Sequence, residues 1–343
     1  MIRLGDHTAG RDNNTQLLRL LAATGVIEFH SRALTNHWND DPLFRLTGDT
    51  NTGSLGVNCF FVLSGFLVTQ SWLRRPHLPA FLAARALRIY PALFAAVALS
   101  ILLAGLSSAV PWNRFLTDPM TLDYARHNAF GWRVAYLLPG AFKTNPYPDA
   151  INGSLWTLPV ELRLYVGVAI LGVGGVLAGR TVYAVVLALL IALFMAKPAW
   201  LPLPTGDKLV FELALLFALG SLAYVWRERI ALSLVAVAAS VALYLWNPGA
   251  MVRGTWLAPV IVYAVLVLAY HPWLRARRLN RGGDYSYGLY VYAFPIQQTL
   301  MFHAPGLAPS ELLVQSFIAT LLLAAVSWHF LEQPILGLKS RFH

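Results

Sequence analysis

Apolar residues in this chain gather into ten stretches, most about twenty residues long, the length an α-helix needs to cross the hydrocarbon core of a bilayer. They run Gln16 to Ala33, Gly53 to Leu73, Ile89 to Ser108, Gly153 to Gly174, Thr181 to Ala196, Lys208 to Trp226, Ile230 to Trp246, Thr255 to Trp273, Asp284 to Phe302 and Glu311 to Leu331. The pattern predicts an all-α fold, a polytopic membrane helical bundle of about ten transmembrane helices. An even number puts both termini on one side.

The first stretch breaks the rule, because it carries Arg19, Glu28, His30 and Arg32. Ionisable groups at membrane depth are costly, so they face a protein interior or a wet cavity and mark a functional path. At 100° per residue, eleven steps leave Arg19 and His30 only about 20° apart on one helix face and roughly 16 Å apart along it. Glu28 lies about 200° from His30 and points elsewhere. The bland alternative is a His30 that snorkels to the water interface.

Charge fixes an orientation. With the amino terminus in the cytoplasm, sixteen Lys and Arg residues fall on inner segments, nine on outer ones and Arg163 inside a span, as the positive-inside rule requires. The net charge of +10 is mostly this asymmetry, and no basic run interleaved with aromatics points to nucleic acid. With 57% hydrophobic and 12% charged residues over 343 positions, the chain reads as an integral membrane protein with no room for a separate soluble domain. Residues 1–343 form one membrane domain, whose longest outer connection, Ala109 to Asn152, is rich in proline and aromatics and suits a cap over a site. The inner segment Arg74 to Arg88 reads as a short helix from Leu78 that ends near Pro91, a residue suited to the first turn of the next helix. A polar amino terminus through Thr15, followed by a charge-interrupted stretch, argues against a cleaved signal peptide. The single cysteine, Cys59, excludes an internal disulfide and any cysteine metal cluster; no metal or permanently bound cofactor is expected.

Several side chains carry candidate chemistry. Arg85 and Arg88 are neighbours on one helix face and offer forked donors to phosphate oxygens, or else touch anionic lipid headgroups. Glu161 lies in the outer half of its span, as does His30, and a carboxylate beside an imidazole fixes its tautomer and supports its charge; a structural pair with Arg163 or with an arginine of another span is the alternative. Ser64 and Gly65 permit close helix approach. Tyr285, Tyr287, Tyr290 and Tyr292 form an interfacial belt continued into a polar lining, and Glu332 ends the last stretch. Residue physics alone leaves both an enzyme and a transporter or flippase of a glycan or acyl carrier open.

These residues fall in a familiar order. Arg19 and His30 are separated by ten residues; Phe60 and Phe61 precede Leu63, Ser64, Gly65 and Phe66; Arg85 and Arg88 form Arg-x-x-Arg. Ser154, Leu155 and Trp156 lead to Val160 and Glu161, a tyrosine-rich stretch runs from Tyr285 to Pro295, and Glu332 and Pro334 form Glu-x-Pro. In these six motifs the chain resembles the acyltransferase 3 family of polytopic membrane O-acyltransferases, from about Leu17 to Arg341. It departs at Asn58, where many members have aspartate, and at Leu162, where many have a second acidic residue.

The resemblance implies an O-acetyltransferase in the bacterial cytoplasmic (inner) membrane. The donor is acetyl-CoA from the cytoplasm, with its phosphates against Arg85 and Arg88 and Arg19 lining its path. The acceptor is a sugar hydroxyl of a cell-surface polysaccharide or lipid-linked glycan. His30 and Glu161 are the implied catalytic residues, and Ser64, Trp156 and Tyr290 the implied substrate contacts.

Overall fold

The computed structural model describes residues 2–10, 12–200, 208–246, 250–276 and 283–339. Five of the sixteen basic residues assigned to inner segments, Arg11, Arg277, Arg278, Arg281 and Arg341, lie outside them.

Every predicted apolar stretch is helical. In order the helices are α1 (Thr15–Leu34), α2 (Pro42–Thr47), α3 (Thr52–Arg74), α4 (Leu78–Leu106), α5 (Trp112–Thr117), α6 (Pro119–Phe130), α7 (Leu158–Val173), α8 (Arg180–Ala196), α9 (Lys208–Val225), α10 (Leu234–Trp246), α11 (Ala250–Tyr270), α12 (Ser286–His303), α13 (Pro309–Ser327) and α14 (Gln333–Gly337). Among the described residues, five segments are long and apolar enough to cross a membrane: Thr52–Arg74, Leu78–Leu106, Gly153–Val173, Lys208–Val225 and Pro309–Gly337. The apolar parts of α8, α10 and α11 are shorter.

Three boundaries differ from the sequence expectation. Helix α4 is continuous through Pro91, because proline inside a membrane helix is tolerated where neighbours satisfy the freed backbone. The stretch expected to begin a span at Gly153 is a 3-10 turn, Gly153–Thr157; the α-helix starts at Leu158, with Pro159 in its first turn, where a missing N–H costs nothing. At the other end, α13 runs into a π-helical turn, Trp328–Glu332, before Pro334 opens α14. Such π turns are rare and recur at functional sites.

The chain divides into two compact units. The first gathers Met1–Ala22, Leu55–Phe81 and Arg163–Gly283. Within it, α3 and α9 touch backbone to backbone: a Cβ at Gly65 would collide with the Phe217 carbonyl, and one at Gly220 with that of Val62. Small residues therefore let two apolar helices approach where lipid offers no hydrophobic drive to pack. A buried hydroxyl chain links them further, from Tyr183 to Ser221 (2.7 Å) and from Ser221 to Thr69 (2.5 Å). The buried Asn14 amide donates to Leu268 and Leu274 carbonyls and accepts from Ala276, tying the amino-terminal segment to the end of α11.

The second unit gathers Ala23–Ser54, Leu82–Leu162 and Asp284–His343. Its core includes Leu34, Ala150, Phe294, Met301 and Leu312. Helices α12 and α13 pack along their length, with Gly288 against Ala324 and the Tyr292 hydroxyl 2.8 Å from that of Ser327. The long connection that follows α4, ending at Asn152, is locked down by buried amides. Asn145 donates to the Gln298 carbonyl and side-chain oxygen (2.9 and 2.7 Å), Gln298 donates to Tyr147 and Ala150, and Asn152 donates to Val291.

The connection after α1 is organised by Asp41, which is fully buried. Its carboxylate caps α2 through the amides of Leu43 and Phe44 (both 2.9 Å) and accepts from the Thr52 amide and hydroxyl. Thr52 also reaches Glu28 (2.6 Å), which is paired with Arg32. Burial by itself would raise the pKa of Asp41, but the Thr52 hydroxyl and the amides of Phe44, Thr52 and Leu43 outweigh it and hold the carboxyl below the usual range. A carboxyl depressed in the folded state stabilises above its unfolded pKa and loses that contribution as pH falls. Asp41→Ala should cost about 1–2 kcal/mol near neutrality, the range of a lost helix cap. The gap between the thermal midpoints of mutant and parent should close as pH drops below about 4.

Candidate active site

His30 sits near the end of α1, half-buried, with its ring edge-on to Phe294 of α12 at 4.9 Å between centroids. Its Nδ1 is buried and, among the described residues, has no hydrogen-bond partner. Phe294 in turn packs on Gly153, where a Cβ would come within 2.6 Å of the ring. Gly153 opens the 3-10 turn that carries Ser154 and Trp156 and leads into α7, so the glycine preceding the Ser-Leu-Trp motif and His30 meet the same phenyl ring. Asn152 caps this turn by accepting from the Ser154 amide (3.2 Å).

Glu161 lies in the first turn of α7, where the positive end of the helix dipole favours a carboxylate. Thr157, at the end of the turn, bonds the Tyr290 hydroxyl at 2.8 Å. The predicted residues His30, Glu161 and Tyr290 and the Trp156 turn all belong to the second unit. Glu28, only two residues from His30, faces Arg32 and Thr52 instead, as the helical spacing predicts. Trp156 is half-buried in its turn.

Arg85 and Arg88 both lie on α4 of the same unit. The structure gives Arg88 partners that spacing did not reveal. Its guanidinium donates to Asp284 at 2.6 Å and to Glu332 at 3.5 Å, and lies 5.6 Å from the Tyr287 ring and 5.8 Å from that of Trp328. Glu332 is buried at the end of the π turn and accepts from Ser327 at 3.1 Å; Asp284 accepts from Ser286 at 2.5 Å. The Arg-x-x-Arg, tyrosine and Glu-x-Pro motifs therefore meet around one guanidinium. The four tyrosines of the ninth stretch have different partners, since Tyr285 bonds His329, Tyr287 the Ile89 carbonyl, Tyr290 Thr157 and Tyr292 Ser327.

Two predicted residues belong to the other unit. These are Arg19 and Ser64, and Ser64 is buried on α3 with its hydroxyl 3.2 Å from that of Tyr165. Asn58, the departure from the common aspartate, donates to Glu212 at 2.8 Å.

The second unit holds an imidazole packed on a phenyl ring and a guanidinium held by two carboxylates. The family model described as "Acyltransferase domain" matches residues 13–330. The chain belongs to the acyltransferase 3 family. This acyltransferase is similar to an O-acetyl transferase of Shigella phage Sf6, at 28% identity over 95% of this chain and 96% of that protein. It is also similar to nodulation protein 10 of Rhizobium leguminosarum bv. viciae, at 30% identity over 98% and 96%. No solved structure matches it. The membership makes the chain an enzyme that moves acyl groups, and its apolar helices make it an integral membrane protein.

The sequence reading overlooked Gln297 as well as Asp284. Two consecutive amides, Gln297 and Gln298, inside an otherwise apolar helix were the available signal, since uncompensated polar side chains there are expensive.

Proposed function

We propose that this acyltransferase is an O-acetyltransferase of the bacterial inner membrane, with ten spans and both termini in the cytoplasm. It moves the acetyl group of cytoplasmic acetyl-CoA to a hydroxyl of a cell-surface polysaccharide or lipid-linked glycan. The observation that carries this reading is His30, an imidazole whose Nδ1 is sealed from solvent without a hydrogen-bond partner among the described residues, in a family of acyl-transfer enzymes.

In this reading the acceptor hydroxyl attacks the thioester carbonyl while His30 takes its proton. The tetrahedral adduct then collapses, the carbon–sulfur bond breaks, and the coenzyme thiolate leaves with the proton held on the imidazole. Glu161 supports the positive charge that the ring carries in between. The donor's phosphates meet Arg85 and Arg88, with Arg88 held in place by Asp284 and Glu332. Arg19 lines the donor's path, and Ser64, Trp156 and Tyr290 contact substrate.

The test is direct. Detergent-purified protein given acetyl-CoA should release free thiol, read with a chromogenic reagent, and cells carrying the gene should add acetyl masses to surface glycans that cells lacking it do not. Ligand binding without thiol release would replace the enzyme with a sensor or a transporter.

A further inference from the structure

Gln297 is a fully buried amide inside α12, in the second unit, and its side-chain oxygen has no hydrogen-bond partner among the described residues. A buried polar side chain is costly unless its bonds satisfy groups that would otherwise be stranded. Gln297 does not meet that condition. Its nitrogen donates to the Ile27 carbonyl at 3.0 Å and to the Ser31 hydroxyl at 2.8 Å, both on α1. Those two groups already satisfy each other, because the Ser31 hydroxyl donates to the Ile27 carbonyl at 2.8 Å. Removing the amide strands neither of them and relieves an unmet oxygen, so a gain in stability does not account for it.

What the two bonds do is fasten α1 to α12 at residues just before and just after His30. Ile27 and Ser31 lie about 40° apart around α1, and His30 lies about 60° from Ile27, at the border of that face. One turn earlier on α12, the Phe294 ring meets the imidazole edge-on, with 4.9 Å between centroids. The α12 backbone beside Phe294 is itself held: Pro295 has no N–H to offer the Val291 carbonyl, and Asn152 donates to that carbonyl at 2.9 Å. Turning α1 by about 10° carries a side chain roughly 6 Å from the helix axis through about 1 Å. A shift of about 1 Å at a reacting group can cost about a hundredfold in rate. A ring contact tolerates such a slide, whereas hydrogen bonds weaken steeply when bent.

We propose that Gln297 is a positioning residue, which fixes the rotation of α1 about its own axis and so keeps the His30 imidazole in its reacting place. The inference rests on His30 as the group that takes the proton in acyl transfer. It gives Gln297 no contact with substrate.

The experiment is a double-mutant cycle on the full-length protein in detergent, supplied with labelled acetyl-CoA and extracted surface glycans, with thiol release read per folded molecule. In the parent background Gln297→Met should lower kcat about ten- to hundredfold and leave half-saturation by acetyl-CoA where it was. In the His30→Ala background the same substitution should change the residual turnover by less than about twofold, because no imidazole is left to place. The thermal midpoint of Gln297→Met should equal or exceed that of the parent, and Gln297→Leu repeats each measurement with a second apolar side chain. An equal loss in both backgrounds, or parental kcat in Gln297→Met, overturns the proposal and leaves His30 in place. A lowered midpoint in both the Met and Leu variants also overturns it, by making Gln297 a structural clamp. Parental turnover in His30→Ala is a different failure: it removes the reading beneath the proposal, and the proposal with it.

Discussion

Alanine at position 30 should lower acyl transfer by about a hundredfold to ten-thousandfold, the contribution typical of a positioned proton-transfer group. The ring makes an edge-on contact with Phe294, and its Nδ1 bonds nothing among the described residues, so its removal takes away proton chemistry more than packing. His30→Gln should be as impaired as His30→Ala, since an amide has similar reach but cannot take up a proton near neutral pH. Steady-state thiol release in the presence of acceptor, set against the thermal midpoint of each variant, separates lost chemistry from lost fold. Turnover at the parent rate in either variant removes His30 from the mechanism. Rapid-quench experiments with labelled acetyl-CoA refine the role: label trapped on the imidazole would make His30 a nucleophile that is transiently acylated.

Arg88→Ala should destabilise the protein by about 3–5 kcal/mol, because it strips the cation from two largely buried carboxylates, Asp284 and Glu332. Loss of activity in that variant therefore says little about donor binding. Neutralising the whole cluster is more informative. Arg88→Met combined with Asp284→Asn and Glu332→Gln should regain most of the lost stability, since a buried ion cluster replaced by neutral groups of similar shape is often close to neutral overall. If Arg88 also reaches the donor's phosphates, the restored triple variant will half-saturate with acetyl-CoA at about a tenfold higher concentration, matching one charge-assisted hydrogen bond. Parental donor affinity in the triple variant would make Arg88 a clasp for α4, α12 and the π turn, leaving the phosphates to Arg85.

The cluster also shows where sequence reasoning stops. The Arg85 and Arg88 spacing is visible in the sequence, as are Glu332 and the tyrosines, but nothing there joins one to another. Asp284 and Glu332 lie 196 and 244 residues from Arg88, and only coordinates join them. Gln297 and Ile27, 270 residues apart, are linked in the same way. Pro91 shows the converse: its local rule favours a helix start, yet packing around α4 carries the helix straight through it.

By itself the sequence determined where the apolar helices lie, the family and the residue types at the chemistry. A backbone in hydrocarbon must satisfy its hydrogen bonds within each segment, which makes helix placement a local property. Which faces meet was decided only by the tertiary structure. Lipid is as apolar as a packed interior, so hydropathy does not mark the inward side of a helix. That side is set by glycines such as Gly65 and Gly153, which allow contact, and by the few polar groups whose partners lie far along the chain.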